Sequence, residues 1–133
     1  MAPGRRGTVY DVDHPRETVE RYAAIYRRRE QERRAREEEA ARTVLGRLPE
    51  AARALRDEFG ARVVGYFGSL RRGRLHERSD VDLFVDRIRR GEYFRAIDRL
   101  CTLLARPVDL VELEAAPPSL RERIATDGVV IDA

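Results

Sequence analysis

The sequence predicts an α+β protein, a small mixed β-sheet flanked by helices with an N-terminal helical extension. Two observations carry that prediction. Hydrophobic periodicity is helical up to Gly60 and then shifts to short β-branched and aromatic runs. Beyond that point helices and strands alternate over a length that builds one modest core, since the whole chain has 133 residues.

Residues 1–15 contain Pro3, Gly4, Gly7 and Pro15 without periodicity and read as a loose arm. Glu17 to Thr43 reads as a very polar helix. Val19, Tyr22 and Tyr26 form one short apolar stripe at i, i+3 and i+7, whereas Arg27 to Glu39 is almost wholly charged, with acids and bases at helix-pairing spacings. The sustained apolar a and d positions of a coiled coil are missing. The pattern fits a solvated helix or one that docks a partner. Gly46 and Pro49 are expected to interrupt it, dividing the chain into an arm plus polar helix (1–44) and a folded domain (45–133). A second helix is then expected with Pro49 in its first turn, Leu48, Ala51, Ala52, Leu55 and Phe59 lining one face, and Gly60 as its C-cap.

Strands are expected at Arg62–Phe67, Val81–Asp86, Pro107–Val111 and Val129–Ile131. Helices are expected at Tyr93–Ala105, with Tyr93, Ile97, Leu100, Cys101 and Leu104 inward, and at Ser119–Thr126, with Ser119 as N-cap.

Composition narrows function. Charged residues make up 38% of the chain, yet the net charge is +3, and every one of the 27 basic residues is arginine. That uniformity, with no asparagine at all, is a compositional bias rather than a nucleic-acid footprint, and no direct nucleic-acid binding is expected. The lone Cys101 excludes an internal disulfide, argues against a zinc site, and is expected in the core. The absence of a long apolar run or signal peptide points to a cytoplasmic protein with no membrane contact.

The chemistry-bearing residues are acidic. Asp80 and Asp82 are two apart on an expected strand, so period-2 geometry puts both carboxylates on one face. Asp86 comes next at the same parity and reads as a strand-end residue. Asp109 lies within the otherwise apolar Val108–Val111 run. Carboxylates gathered on one face repel one another, and a divalent cation relieves that repulsion. Gly68-Ser69 ends the first expected strand. A glycine there allows close backbone approach to a ligand, and a helix starting at Ser69 would offer N–H groups to an anion.

Taken together, Gly68-Ser69-Leu70-Arg71-Arg72-Gly73 and Ser79-Asp80-Val81-Asp82-Leu83, with ten residues between Ser69 and Asp80, resemble the signature of the polymerase β nucleotidyltransferase superfamily, in its minimal nucleotidyltransferase branch. The resemblance covers roughly residues 45–133. It implies that Gly68 and Ser69, with Arg72 and Ser79, bind the nucleotide triphosphate. It implies that Asp80, Asp82 and Asp109 hold Mg²⁺, two ions in this superfamily, with Asp109 also helping to deprotonate the acceptor hydroxyl. Arg71, Arg74, Arg78 and His76 read mainly as solvated loop residues, and His14 has no expected role.

The resemblance further implies transfer of AMP from ATP. Minimal members often pair with a HEPN-type toxin and adenylylate its tyrosine, so the expected assembly is a hetero-oligomer in which this chain is the antitoxin. The short length leaves the acceptor to come from another chain, with the polar helix as a docking element. The alternatives are a small-molecule (aminoglycoside-type) nucleotidyltransferase and a non-catalytic module that neutralises a toxin by contact.

Overall fold

The structure, a computed structural model, describes His14 to Asp132. The expected loose arm at 1–15 falls almost wholly outside the described residues. The order of elements is α1 (Pro15–Phe59), β1 (Val64–Tyr66), β2 (Val81–Val85), α2 (Tyr93–Leu104), β3 (Val108–Glu112), α3 (Pro118–Asp127) and β4 (Val129–Val130), with single 3₁₀ turns at Leu70–Arg72 and Leu113–Ala115.

Helix α1 is continuous over 45 residues, so Gly46 and Pro49 do not break it. Proline removes one hydrogen bond and crowds the preceding turn, at about 3 kcal/mol. Against this stands one uninterrupted buried stripe. Ala41, Val44, Leu48, Ala51, Ala52, Leu55 and Phe59 are all at most 4% exposed and straddle Pro49. Burying a large apolar side chain is worth about 1.5–3 kcal/mol, so the stripe outweighs the proline.

The chain divides into two compact units between Arg36 and Glu37, inside α1. The division lies ahead of residue 45 because Ala41 and Val44 belong to the core of the second unit. In the first unit, Val19, Tyr22 and Tyr26 are 60%, 62% and 62% exposed.

In the second unit the four strands lie in the order β3-β2-β1-β4. β1 is antiparallel to β2 and β4, and β2 is parallel to β3. The sheet is therefore mixed, as the sequence predicts. On one face, Val81, Leu83, Val85 and Leu110 pack with α1 and with Ala96, Leu100 and Leu104 of α2. On the other, Phe84 and Phe67 meet Ile124 of α3. Cys101 is half-buried at the margin rather than in the core, because Leu100 and Leu104 hold the central positions of α2. Helix α3 starts earlier than expected. Pro118 supplies the first turn without needing an N–H acceptor, which places Ser119 inside the helix rather than at its cap.

β1 is shorter than the Arg62–Phe67 run. The N–H groups of Arg62 and Val63 donate to Asp86 Oδ1, at 2.9 and 3.1 Å, instead of joining the ladder. Asp86 is thus the strand-end residue the sequence suggests. Burial pushes its carboxyl up, but the backbone hydrogen bonds outweigh burial and hold it below the usual range.

Candidate active site

β2 sorts its side chains by parity. Val81, Leu83 and Val85 are fully buried toward α1 and α2. Asp82 shares the opposite face with Phe84. Because β2 and β3 are parallel with Asp82 paired to Asp109, these carboxylates are side by side on neighbouring strands. Asp82 is half-buried and Asp109 exposed. β2 begins at Val81, so Asp80 sits one residue ahead of the strand, exposed, rather than on it as expected.

Beyond β1 the chain passes directly beside Asp82. The Phe67 N–H donates to the Asp82 carbonyl at 3.1 Å. Gly68 then takes φ +74°, and a Cβ there would lie 2.3 Å from Asp82 Oδ2. No side chain fits between the Gly-Ser bend and the carboxylate. After the bend comes a single 3₁₀ turn rather than a longer helix. The N–H groups of Arg71 and Arg72 return to the carbonyls of Gly68 and Ser69, at 3.1 and 3.0 Å. Leu70, 2% exposed, anchors the turn in the core. So short a turn carries little dipole, and any anion held here would rest on local N–H groups, the Ser69 hydroxyl and nearby arginines.

The loop from His76 to Ser79 is fixed from an element the sequence did not single out. Arg106 lies between α2 and β3, and its Nη2 donates to the carbonyls of His76 (2.6 Å), Glu77 (3.3 Å) and Ser79 (3.3 Å). The Val81 N–H donates to the Pro107 carbonyl at 2.9 Å. Ser79 is half-buried, its N–H bonded to the His76 carbonyl at 2.9 Å. His76 accepts from the Arg78 N–H through Nδ1 at 3.2 Å, as befits a loop residue. Arg74 is not solvated as expected. It pairs with Glu37 of α1 at 2.7 Å, and Glu37 is only 8% exposed.

The electrostatics tie the acids together. Burial pushes the Asp82 carboxyl above its ordinary range, and the negative charges of Asp109 and Asp80 push it further. Arg123 and Arg72 pull it partly back. Arg72 was singled out by the sequence. Arg123 was not, since nothing in the α3 segment distinguishes it from the other arginines until Ile124 is docked beside Phe84.

Among the described residues, no three acidic, histidine or cysteine side chains converge enough to enclose a metal ion by themselves. The donor chemistry nevertheless fits Mg²⁺. It is all oxygen, its carboxylates repel one another, and Mg²⁺ is commonly held by one or two carboxylates with water and substrate phosphates completing the shell. No helix among the described residues is long and apolar enough to cross a membrane.

A mixed sheet with paired carboxylates on one face and a Gly-Ser bend packed against them defines a nucleotidyltransferase fold. The polymerase β nucleotidyltransferase family model matches residues 51–132, and the chain belongs to that family. Among solved structures it is similar to a crystal structure of a toxin–antitoxin with AMP-PNP, at 25% identity and a TM-score of 0.53, over 64% of this chain and 69% of the other. A minimal nucleotidyltransferase structure matches at 32% identity and a TM-score of 0.50, over 65% of this chain and 86% of the other. A mutant of the toxin–antitoxin MntA–HpeT, at 23% identity and a TM-score of 0.54 over 64% of this chain and 69% of the other, shares the fold. No curated protein sequence matches the chain.

Proposed function

We propose that this chain is a Mg²⁺-dependent adenylyltransferase that moves AMP from ATP to a hydroxyl group, a tyrosine of a partner HEPN-type toxin, and so acts as an antitoxin. The observation that carries the reading is the register pairing of Asp82 with Asp109 while Gly68 lies against the Asp82 carboxylate. It brings the Gly-Ser bend and a carboxylate pair together at one end of the sheet's strands, which supports a site for a triphosphate and its cation. The similarity to a toxin–antitoxin with AMP-PNP supports both the nucleotide and the partner.

In this reading Asp80, Asp82 and Asp109 would hold Mg²⁺, which would neutralise triphosphate charge as the acceptor oxygen displaces pyrophosphate in line at the α-phosphorus. Gly68, Ser69, Ser79 and Arg72 hold the phosphates, and Arg123 adds positive charge from α3. Asp109, exposed where Asp82 is half-buried, faces the acceptor and takes its proton. Raised repulsion around Asp82 favours cation binding, because the cation relieves it. Positioning and charge stabilisation account for the catalysis, with no covalent enzyme intermediate.

The test is intact-mass spectrometry of the neighbouring gene product after co-expression. A gain of one or more AMP units is expected with the wild type and none with Asp80→Ala/Asp82→Ala. Equal incorporation by the double variant would refute the site assignment.

A further inference from the structure

We infer that Arg106 is a positioning residue for the metal site: it fixes the His76–Ser79 loop and thereby sets the Asp80 carboxylate beside Asp82 and Asp109. The inference rests on the reading that these three aspartates hold a divalent cation. Asp80 lies outside β2, so the ladder does not fix it as it fixes Asp82 and Asp109. The loop leading into Asp80 turns its His76, Glu77 and Ser79 carbonyls toward one guanidinium nitrogen, Arg106 Nη2. Nη2 has two hydrogens, so the 2.6 Å bond to His76 takes one and the two 3.3 Å contacts to Glu77 and Ser79 share the other, which gathers the three carbonyls around one nitrogen.

The anchor is itself held. Arg106 is followed by Pro107, whose carbonyl accepts from the Val81 N–H at 2.9 Å, and Asp109 is two residues further on. It is preceded by Ala105, which takes the left-handed conformation at φ 55° to end α2. The same short connection therefore places the start of β3, carrying Asp109, and the loop leading to Asp80. Among the described residues, the Nε–H of Arg106 is buried without an acceptor. A buried donor left unpaired is unfavourable, and the guanidinium occupies this place nonetheless, with Nη2 directed at the loop.

Mn²⁺ titration of the purified chain, followed by the electron paramagnetic resonance of the free ion, tests this without relying on turnover. Arg106→Gln is expected to weaken Mn²⁺ binding by about tenfold or more, the usual effect of losing a residue that orients a ligand. Arg106→Lys, which keeps the stem and charge, should lose less and covers the case in which Arg106→Gln fails to fold. In an Asp80→Asn background, Arg106→Gln should cause no further loss, because the carboxylate it positions is already gone. Wild-type affinity in both Arg106 variants overturns the inference while leaving the metal reading intact. The same fold-loss with and without Asp80 also overturns it, since it would show general loosening. Failure of the wild type to bind Mn²⁺, with or without ATP, removes the metal reading and this inference together.

Discussion

Replacing Gly68 by alanine separates a backbone effect from a contact effect, because Gly91 offers a matched control. Both glycines have positive φ, +74° and +81°, so alanine at either meets left-handed strain. That strain is about 1–2 kcal/mol, offset by about 0.4–1 kcal/mol because alanine narrows the unfolded ensemble. At Gly91 a Cβ would meet nothing within 4 Å, so the net loss should be about 1 kcal/mol, or about 4 °C in Tm. At Gly68 the Cβ would lie 2.3 Å from Asp82 Oδ2, and the carboxylate must retreat by about 1 Å to reach ordinary contact. An off-rotamer Asp82 adds about 0.5–1.5 kcal/mol. A displacement of that size in a reacting constellation lowers turnover by about 100-fold. Thermal melts, with AMP transfer measured from labelled ATP, give both quantities. Gly68→Ala transferring AMP as fast as Gly91→Ala would refute the argument that this contact sets the position of Asp82.

Three other substitutions or truncations have defined outcomes. Asp82→Asn should stabilise the fold at neutral pH by about 0.5–1 kcal/mol while abolishing transfer, a common consequence of relieving strain in an active site. The sign is set by the raised carboxyl of Asp82: the native state keeps a proton that the unfolded state releases at its ordinary value of 3.8, so wild-type stability falls as pH rises through that window. The gap between variant and wild type should thus open above pH 3.8, and urea melts showing the same gap at every pH would contradict it. Asp86→Ala should lower stability by about 1 kcal/mol at pH 7. Because the Asp86 carboxyl is held below its usual range, the effect should fade as the wild type is taken to acid, which parallel melts will reveal. Removal of residues 1–36, which spares Glu37 and Ala41, should leave the Tm of the second unit within about 2 °C yet weaken partner affinity, because Val19, Tyr22 and Tyr26 go with it. Unchanged affinity by calorimetry would sink the docking role.

Much of the architecture could be read from local pattern. The period change after Gly60, the alternation of Val81, Leu83 and Val85 around Asp82, and the apolar face of α2 are signals carried by neighbours along the chain. They gave the α+β class and the element order. The Gly68-Ser69 and Asp80-Asp82 spacing likewise gave the candidate site, since the chemistry depends on residue types at fixed separations. Pattern failed where distant groups decide. Pro49 reads as a helix break until the buried stripe on both sides of it is seen against the sheet. Glu37 sits in a charged run that reads as solvated, and only the fold brings Arg74 to it.

The sequence by itself therefore determined the fold class and the set of acidic and phosphate-binding candidates, because periodicity and short-range spacing are properties of the chain alone. The tertiary structure decided which groups face one another. It put Asp109 in register with Asp82, pressed Gly68 against that carboxylate, moved Asp80 off the strand, and brought in Arg106 and Arg123 from distant segments. In a chain whose 27 basic residues are all arginine, composition does not mark which one matters. Burial and hydrogen-bond geometry do, because they arise only when segments far apart in sequence are packed together.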